Sequence, residues 1–311
     1  MDSVWDMLVL GGGPGGYTAA LYGARAGLRT LVLEKLCPGG QMALTERIDN
    51  YPGFPEGVDG IALGERMRQG AERFGAGTVL AEARELALSG LVKEVSTSEG
   101  VFYGRTVVLA TGAGPRPLGL PGEEGLLGRG VSYCAACDGT FYRGKTVAVV
   151  GGGSSAAGDA LLLSRLCKKV YLIHRRDTLR ADRISREALE MAENVEFRWN
   201  SNVIALLHGE RLTGIRIRNE STGAESEIAC DALFVCIGRK PASDLVRGKL
   251  ALDDSGYVVA GESTETGIPG VFAVGDVRAK AVRQVVTSVA DGAAAAHSAG
   301  EYLARQALEL Q

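Results

Sequence analysis

The apolar positions of this chain fall into short unbroken runs that end in glycine-rich turns, and the same succession occurs twice. Positions 7–10, Met7-Leu8-Val9-Leu10, read as a buried strand. The turn Gly11-Gly12-Gly13-Pro14-Gly15-Gly16 follows, then a helical pattern over about 17–26 and a second apolar run at 30–33 that stops at Glu34. The order returns with an apolar run at 146–150, the turn Gly151-Gly152-Gly153-Ser154-Ser155-Ala156, a helical stretch to about 166 and a strand at 170–173. Each half closes alike, Val107-Val108-Leu109-Ala110-Thr111-Gly112 in the first and Leu233-Phe234-Val235-Cys236-Ile237-Gly238 in the second. Proline-bearing connectors come next, Gly114-Pro115-Arg116-Pro117 and Arg239-Lys240-Pro241, which predicts a second domain inserted into the first. Positions 78–88, 91–97 and 101–109 read as β-structure with turns at Ser89-Gly90 and Ser98-Glu99-Gly100, and 203–207 with 212–218 forms an equivalent ribbon. An alanine-rich helix runs from about 284 to the carboxyl end. The predicted fold class is α/β: two Rossmann-like three-layer nucleotide-binding domains, with 115–241 inserted between 1–114 and 242–311.

Strand, tight glycine turn, helix, strand and terminal acid make a dinucleotide-binding unit. Glycines let the backbone approach a pyrophosphate at the positive end of the helix, and an acid at the strand tip accepts hydrogen bonds from a ribose diol. Gly11, Gly13, Pro14, Gly15, Gly16 and Glu34 are the candidate contacts in the first unit. In the second, the 23-residue interval that separates Gly11 from Glu34 leads from Gly151 to His174, followed by Arg175, Arg176 and Arg180. The acid is exchanged for cations, and guanidinium groups favour a 2′-phosphate over a free hydroxyl. This site is therefore expected to take NADPH in preference to NADH, through Gly151, Gly153, Ser154, Ser155, Ala156, His174, Arg175, Arg176 and Arg180.

Composition narrows the choice. At 311 residues the chain exceeds what one hydrophobic core supports, and 46% hydrophobic with 23% charged residues is ordinary for a globular protein. A formal charge of −3 gives no electrostatic footprint for nucleic acid or an anionic membrane. Acids stand near the amino terminus where a secretory leader needs bases, and no apolar run approaches the roughly 20 residues of a membrane-spanning helix, so a cytoplasmic location is expected. Against that background the pair in Cys134-Ala135-Ala136-Cys137-Asp138 reads as redox chemistry rather than a structural staple. Asp138 is the titratable neighbour best placed to move the proton each thiol must lose or gain. Cys37, Cys167, Cys230 and Cys236 are scattered and read as small buried hydrophobes. A zinc centre would need a second pair, and Cys230 with Cys236 has the wrong spacing, so no metal is expected.

The stretch Thr266-Gly267-Ile268-Pro269-Gly270-Val271-Phe272-Ala273-Val274-Gly275-Asp276 resembles the FAD motif of flavoprotein disulfide reductases. With Gly39-Gly40-Gln41, Asp49-Asn50-Tyr51-Pro52-Gly53, Cys134 to Gly139 and His174 to Ala181, the resemblance to low-molecular-weight thioredoxin reductases covers nearly the whole chain. The resemblance implies a homodimer that binds FAD without a covalent link and passes electrons from NADPH through a Cys134–Cys137 disulfide to the disulfide of thioredoxin or a thioredoxin-like protein. It places FAD on the first domain, adding Lys35, Gly39, Gly40, Gln41, Asn50, Thr111, Gly112, Gly275, Asp276, Arg283 and Gln284 to its contacts. The cysteines precede Gly151 closely and ride on the NADPH domain, yet nicotinamide and disulfide must both reach one flavin ring. Rotation of the inserted domain about its two connectors, alternating the half-reactions, is therefore expected. Two departures stand out: Gly15 where the family usually has Ala, and Gly158-Asp159 where it has two acids near the nicotinamide. Relatives of the same fold that oxidise dithiols with oxygen, or draw on ferredoxin, are the alternative, and those tend to lack the cationic nucleotide motif.

Overall fold

The computed structural model describes residues 4–44 and 47–309, with the side chains of Leu44 and Cys137 outside that description. The chain divides into two units: Pro115–Arg239 makes the inner one, and the sequence on either side makes the outer one.

The outer unit begins with β1 (Trp5–Leu10), α1 (Pro14–Arg25), β2 (Thr30–Glu34), α2 (Gly60–Glu72), β3 (Gly77–Leu80), β4 (Ala83–Ala87), β5 (Lys93–Thr97), β6 (Gly100–Leu109) and β7 (Ala113–Pro115). β1 pairs in parallel with β2 and β6, and β2 with β3, while β4, β5 and β6 form an antiparallel meander on the same sheet. Successive strand residues go to opposite faces, and here both faces are covered. Met7, Val9, Val32 and Val108 pack with Tyr17 and Ala20 of α1, whereas Leu8, Leu10, Leu31, Leu33 and Leu109 enter a second cluster with Val246 and Val258. That is why the runs are unbroken rather than alternating. The β-structure read at 78–88 is two strands, not one. Ala81 N–H donates to the Glu34 carbonyl (2.8 Å) at the end of the parallel edge, and Ser98 N–H donates to the Glu82 carbonyl (3.0 Å) where the meander starts.

The inner unit contains β8 (Val131–Ser132), α3 (Ala135–Asp138), β9 (Thr146–Gly151), α4 (Ser154–Leu166), β10 (Lys169–Ile173), α5 (Arg183–Glu190), β11 (Val195–Arg198), β12 (Ser201–His208), β13 (Leu212–Asn219), β14 (Glu225–Ala229) and β15 (Ala232–Cys236). Its parallel sheet runs β11-β10-β9-β15-β8. Val147, Val149 and Phe234 pack with Ala156, Ala160 and Leu163 of α4 on one face. Ala148, Val150, Leu233 and Val235 meet the antiparallel ribbon β12-β13-β14 on the other, through Val203, Ile215 and Ile228.

The chain returns through β16 (Arg239–Pro241), which pairs with β7, and β17 (Val271–Ala273), which pairs in parallel with β6. The long helix α6 (Val285–Glu309) then lies against α1, so closely that a Cβ on Gly292 would overlap the Gly15 carbonyl oxygen. The last two residues of the helix expected to reach the carboxyl end lie outside the described residues.

Candidate active site

In the outer unit, α1 starts inside the glycine turn with Pro14 at its first position and Gly13 as N-cap, and no side chain caps it. Its first N–H groups are thus left for a ligand, where the helix dipole favours negative charge. A Cβ on Gly16 would overlap the Gly11 carbonyl oxygen, so the turn closes only with glycine there. Glu34, 8% exposed at the tip of β2, accepts from the Gly12 N–H (2.5 Å) and the Leu36 N–H (2.9 Å), which fixes its carboxylate beside the turn. Gly39 N–H donates to the Gly12 carbonyl (2.8 Å), and Gly40 lies against Gly13. Asn50 Nδ2 donates to Gln284 Oε1 (3.0 Å), joining two expected contacts far apart in sequence. Thr111 Oγ1 donates to the Ala242 carbonyl and the Gly112 carbonyl accepts from Ala242 N–H, so these two anchor the return crossing. Lys35 points to the surface, in an ion pair with Glu82 at 2.6 Å. The Arg283 guanidinium lies over the Tyr257 ring at 3.8 Å. Asp276 Oδ1 is buried without a hydrogen-bond partner. A buried bare acceptor is costly, and a polyol hydroxyl is the donor that would satisfy it. Glycine turn, strand-tip carboxylate and orphaned acceptor together fit a dinucleotide with a polyol segment.

The inner turn is built differently at one point. His174 directly follows β10 with its imidazole packed over Gly152, in the space where a Cβ would stand, and is 5% exposed. Burial, reinforced by Arg180, Arg175 and Arg176, pushes its pKa below the ordinary 6.5. At neutral pH His174 is uncharged, so the positive charge of this tip is carried by the three arginines and not by the imidazole. All three are exposed, and none enters an ion pair among the described residues. Arg180 N–H donates to the Gly152 carbonyl (2.7 Å), which folds the arginine loop back onto the turn. Gly153 caps α4 without a side-chain bond, leaving Ser154, Ser155 and Ala156 in its open first turn.

Cys236 is not a bland filler. Its thiol donates to Asp159 Oδ2 at 3.0 Å, with Asp159 on α4 and Cys236 at the end of β15, beside Gly151. Burial pushes the Asp159 carboxyl up and the Cys236 thiol well above its usual range. The single acid at the position where the resemblance predicts two is therefore turned onto a thiol within the unit.

β8 delivers the chain to the Cys134–Asp138 segment. Cys134 is the N-cap of the short α3, is disulfide-bonded, and its carbonyl accepts from Asp138 N–H at 3.1 Å. The Cys137 side chain lies outside the described residues. Ser132, 4% exposed, donates its hydroxyl to Asp138 Oδ2 (2.6 Å) and accepts from Cys134 N–H (3.1 Å). One hydroxyl thus holds the acid against the cysteine turn. Sequence reasoning missed Ser132, and its signal was only a serine two positions before the first cysteine. Behind this segment Gly139 packs on Leu163 of α4, the helix that opens at the second glycine turn.

Residues 5–292 match the model of the pyridine nucleotide-disulphide oxidoreductase family. The chain is 44% identical over 306 residues to a thioredoxin reductase of Mycolicibacterium smegmatis, covering 98% of both chains. It is also 44% identical over 308 residues to a bifunctional thioredoxin reductase/thioredoxin of Mycobacterium leprae, covering 98% of this chain and 67% of that one. Among solved structures, the thioredoxin reductase of Streptococcus pyogenes superposes with a TM-score of 0.82 at 38% identity, covering 98% of this chain and 100% of that one. The chain belongs to the pyridine nucleotide-disulphide oxidoreductase family.

Proposed function

We propose that this protein reduces the disulfide of a thioredoxin or thioredoxin-like protein with electrons from NADPH, passed through FAD and the Cys134–Cys137 pair. The observation that carries the reading is the disulfide-bonded Cys134 at the head of α3, with Asp138 held beside it by Ser132, on the same unit as the arginine-tipped nucleotide turn. The names of the relatives support the partner, one of them being a bifunctional thioredoxin reductase/thioredoxin.

A bound flavin would supply the exchange between two-electron hydride transfer and disulfide chemistry. Gly11, Gly13, Pro14, Gly15 and Gly16 with Gly39 and Gly40 would hold its pyrophosphate, Glu34 its adenosine ribose, and Asp276 its ribityl chain. Gln41, Asn50, Thr111, Gly112, Arg283 and Gln284 would complete the cradle, with Lys35 at its edge. Arg175, Arg176 and Arg180 would grip the 2′-phosphate of NADPH at the inner turn, with His174 beneath. Two electrons entering the Cys134–Cys137 bond break it into two thiolates. One thiolate attacks the partner's disulfide and forms a mixed disulfide, which the other resolves, so the pair is reoxidised while the partner leaves with two thiols. Asp138, its Oδ2 bonded by Ser132, takes and returns the proton of the adjacent thiol.

Nicotinamide and disulfide both belong to the inner unit and cannot lie against one flavin ring together, so that unit rotates about β7 and β16 between half-reactions. The working form is a homodimer in the cytoplasm. Cys134→Ser tests the route: the yellow protein is still bleached by NADPH, while thioredoxin-dependent reduction of a chromogenic disulfide falls to background. Retained turnover overturns it.

A further inference from the structure

The turn that carries Asp276 is held from behind by one buried carboxylate that no part of the proposed reaction uses. Asp291 of α6 is 7% exposed. Its Oδ2 accepts from Gly275 N–H (2.9 Å) and from Lys280 Nζ (2.9 Å), and its Oδ1 from Arg278 Nη2 (2.8 Å). Arg278 Nη1 reaches on to the carbonyls of Ala260 (3.1 Å) and Gly261 (2.6 Å). The residue before Asp276 and the second residue after it are thus tied to the same carboxylate, and Asp276 cannot swing between them. The Lys280 and Arg278 side chains are themselves 8% and 12% exposed, and Asp291 is their ion-pair partner among the described residues. A buried carboxylate with donors from three residues is a rigid fixture, because leaving either cation unpaired is costly.

The fixture is keyed to the other end of the same site. Gly292, the next residue, presses α6 onto the Gly15 carbonyl of α1, and Gly15 in turn lies against Ser288 and Val274. The glycine turn at the head of α1 and the Asp276 turn therefore share one frame of reference through α6.

We propose that Asp291 is a positioning residue for the flavin: through Gly275 and Arg278 it sets the place of Asp276, whose buried and unpartnered Oδ1 receives a ribityl hydroxyl. This rests on the reading of the outer unit as the FAD site. Asp291→Asn keeps the shape and removes the charge that donors from three residues converge on.

The test is titration of the deflavinated protein with FAD, followed by flavin fluorescence, for the wild type, Asp291→Asn, Asp276→Asn and the double variant. Each single substitution is expected to weaken FAD binding about tenfold or more, and the double variant to be no more than about threefold weaker than the weaker single, since one acts through the other. Before FAD is added, the far-UV circular dichroism of each variant and the unfolding transition of its outer unit remain present as in the wild type, which a loss of folding in that unit would not allow. Losses that multiply, or an Asp291→Asn affinity within about twofold of wild type, overturn the proposal. If Asp291→Asn does not fold, Arg278→Lys keeps the charge but loses the bridge to Ala260 and Gly261, and the same tenfold loss is expected, an unchanged affinity being the contrary result. A wild-type protein that fails to bind FAD sinks the flavin site itself, whereas tight wild-type binding with an indifferent Asp291 sinks only this inference.

Discussion

His174 and Asp159 sit near one another in sequence logic but tilt the inner unit's stability in opposite directions with pH. Burial lowers the His174 pKa below 6.5, so as pH falls the unfolded chain takes up a proton that the folded unit resists, and stability drops below about pH 6.5. Asp159 is raised above its ordinary 3.8, so its contribution is present in acid and lost as pH rises through the raised value. His174→Gln is neutral throughout. Its unfolding midpoint, followed between about pH 7.5 and 5, should lose the acid-side decline expected of the wild type, and an unchanged decline would show that other groups cause it. At this scale the sequence spoke unevenly. The glycines, Glu34 and the arginines were legible because a backbone turn and a strand tip impose residue types at fixed intervals. Ser132 and Asp291 were not, since each acts through a side-chain bond to a residue whose nearness depends on the folded chain, at Asp138 and at Gly275.

Helices α1 and α6 meet through glycine, backbone against backbone. A Cβ on Gly292 would overlap the Gly15 carbonyl oxygen and lie 2.9 Å from Ala19 N, both backbone atoms that cannot step aside. Gly292→Ala should therefore destabilise by about 1–3 kcal/mol, as overpacking does. Gly300→Ala on the same helix meets nothing within 4 Å and should instead gain up to about 1 kcal/mol of helix propensity. Thermal unfolding of the two variants side by side decides it, and equal midpoints would refute the close contact. The repeated strand-turn-helix units were readable because their strands are apolar on both faces. α2 and α5 went unread because their apolar stripes are thin: α2 buries only Gly60, Leu63, Gly64 and Ala71, and α5 only Leu189. Their caps were the available signal, Asp59 accepting from Ala62 N–H and Asp182 from Ser185 N–H.

For the molecule as a whole, each unit has its own apolar clusters, so each should melt on its own account. Calorimetry should show two transitions. FAD raises one and NADP⁺ the other, each by about 4 kcal/mol at a thousand times its Kd, and a single transition moved equally by both ligands would contradict that independence. The bonds at the two crossings run in opposite order, Arg116 N–H to the Gly238 carbonyl and Ala242 N–H to the Gly112 carbonyl. Departure and return therefore lie side by side as an antiparallel ladder. To the outer unit, the whole of Pro115–Arg239 is an elaborate hairpin loop, and a two-residue turn of the Asn-Gly kind could replace it without stretching the chain. The outer unit is in that sense a self-contained protein into which the unit carrying Cys134 has been spliced.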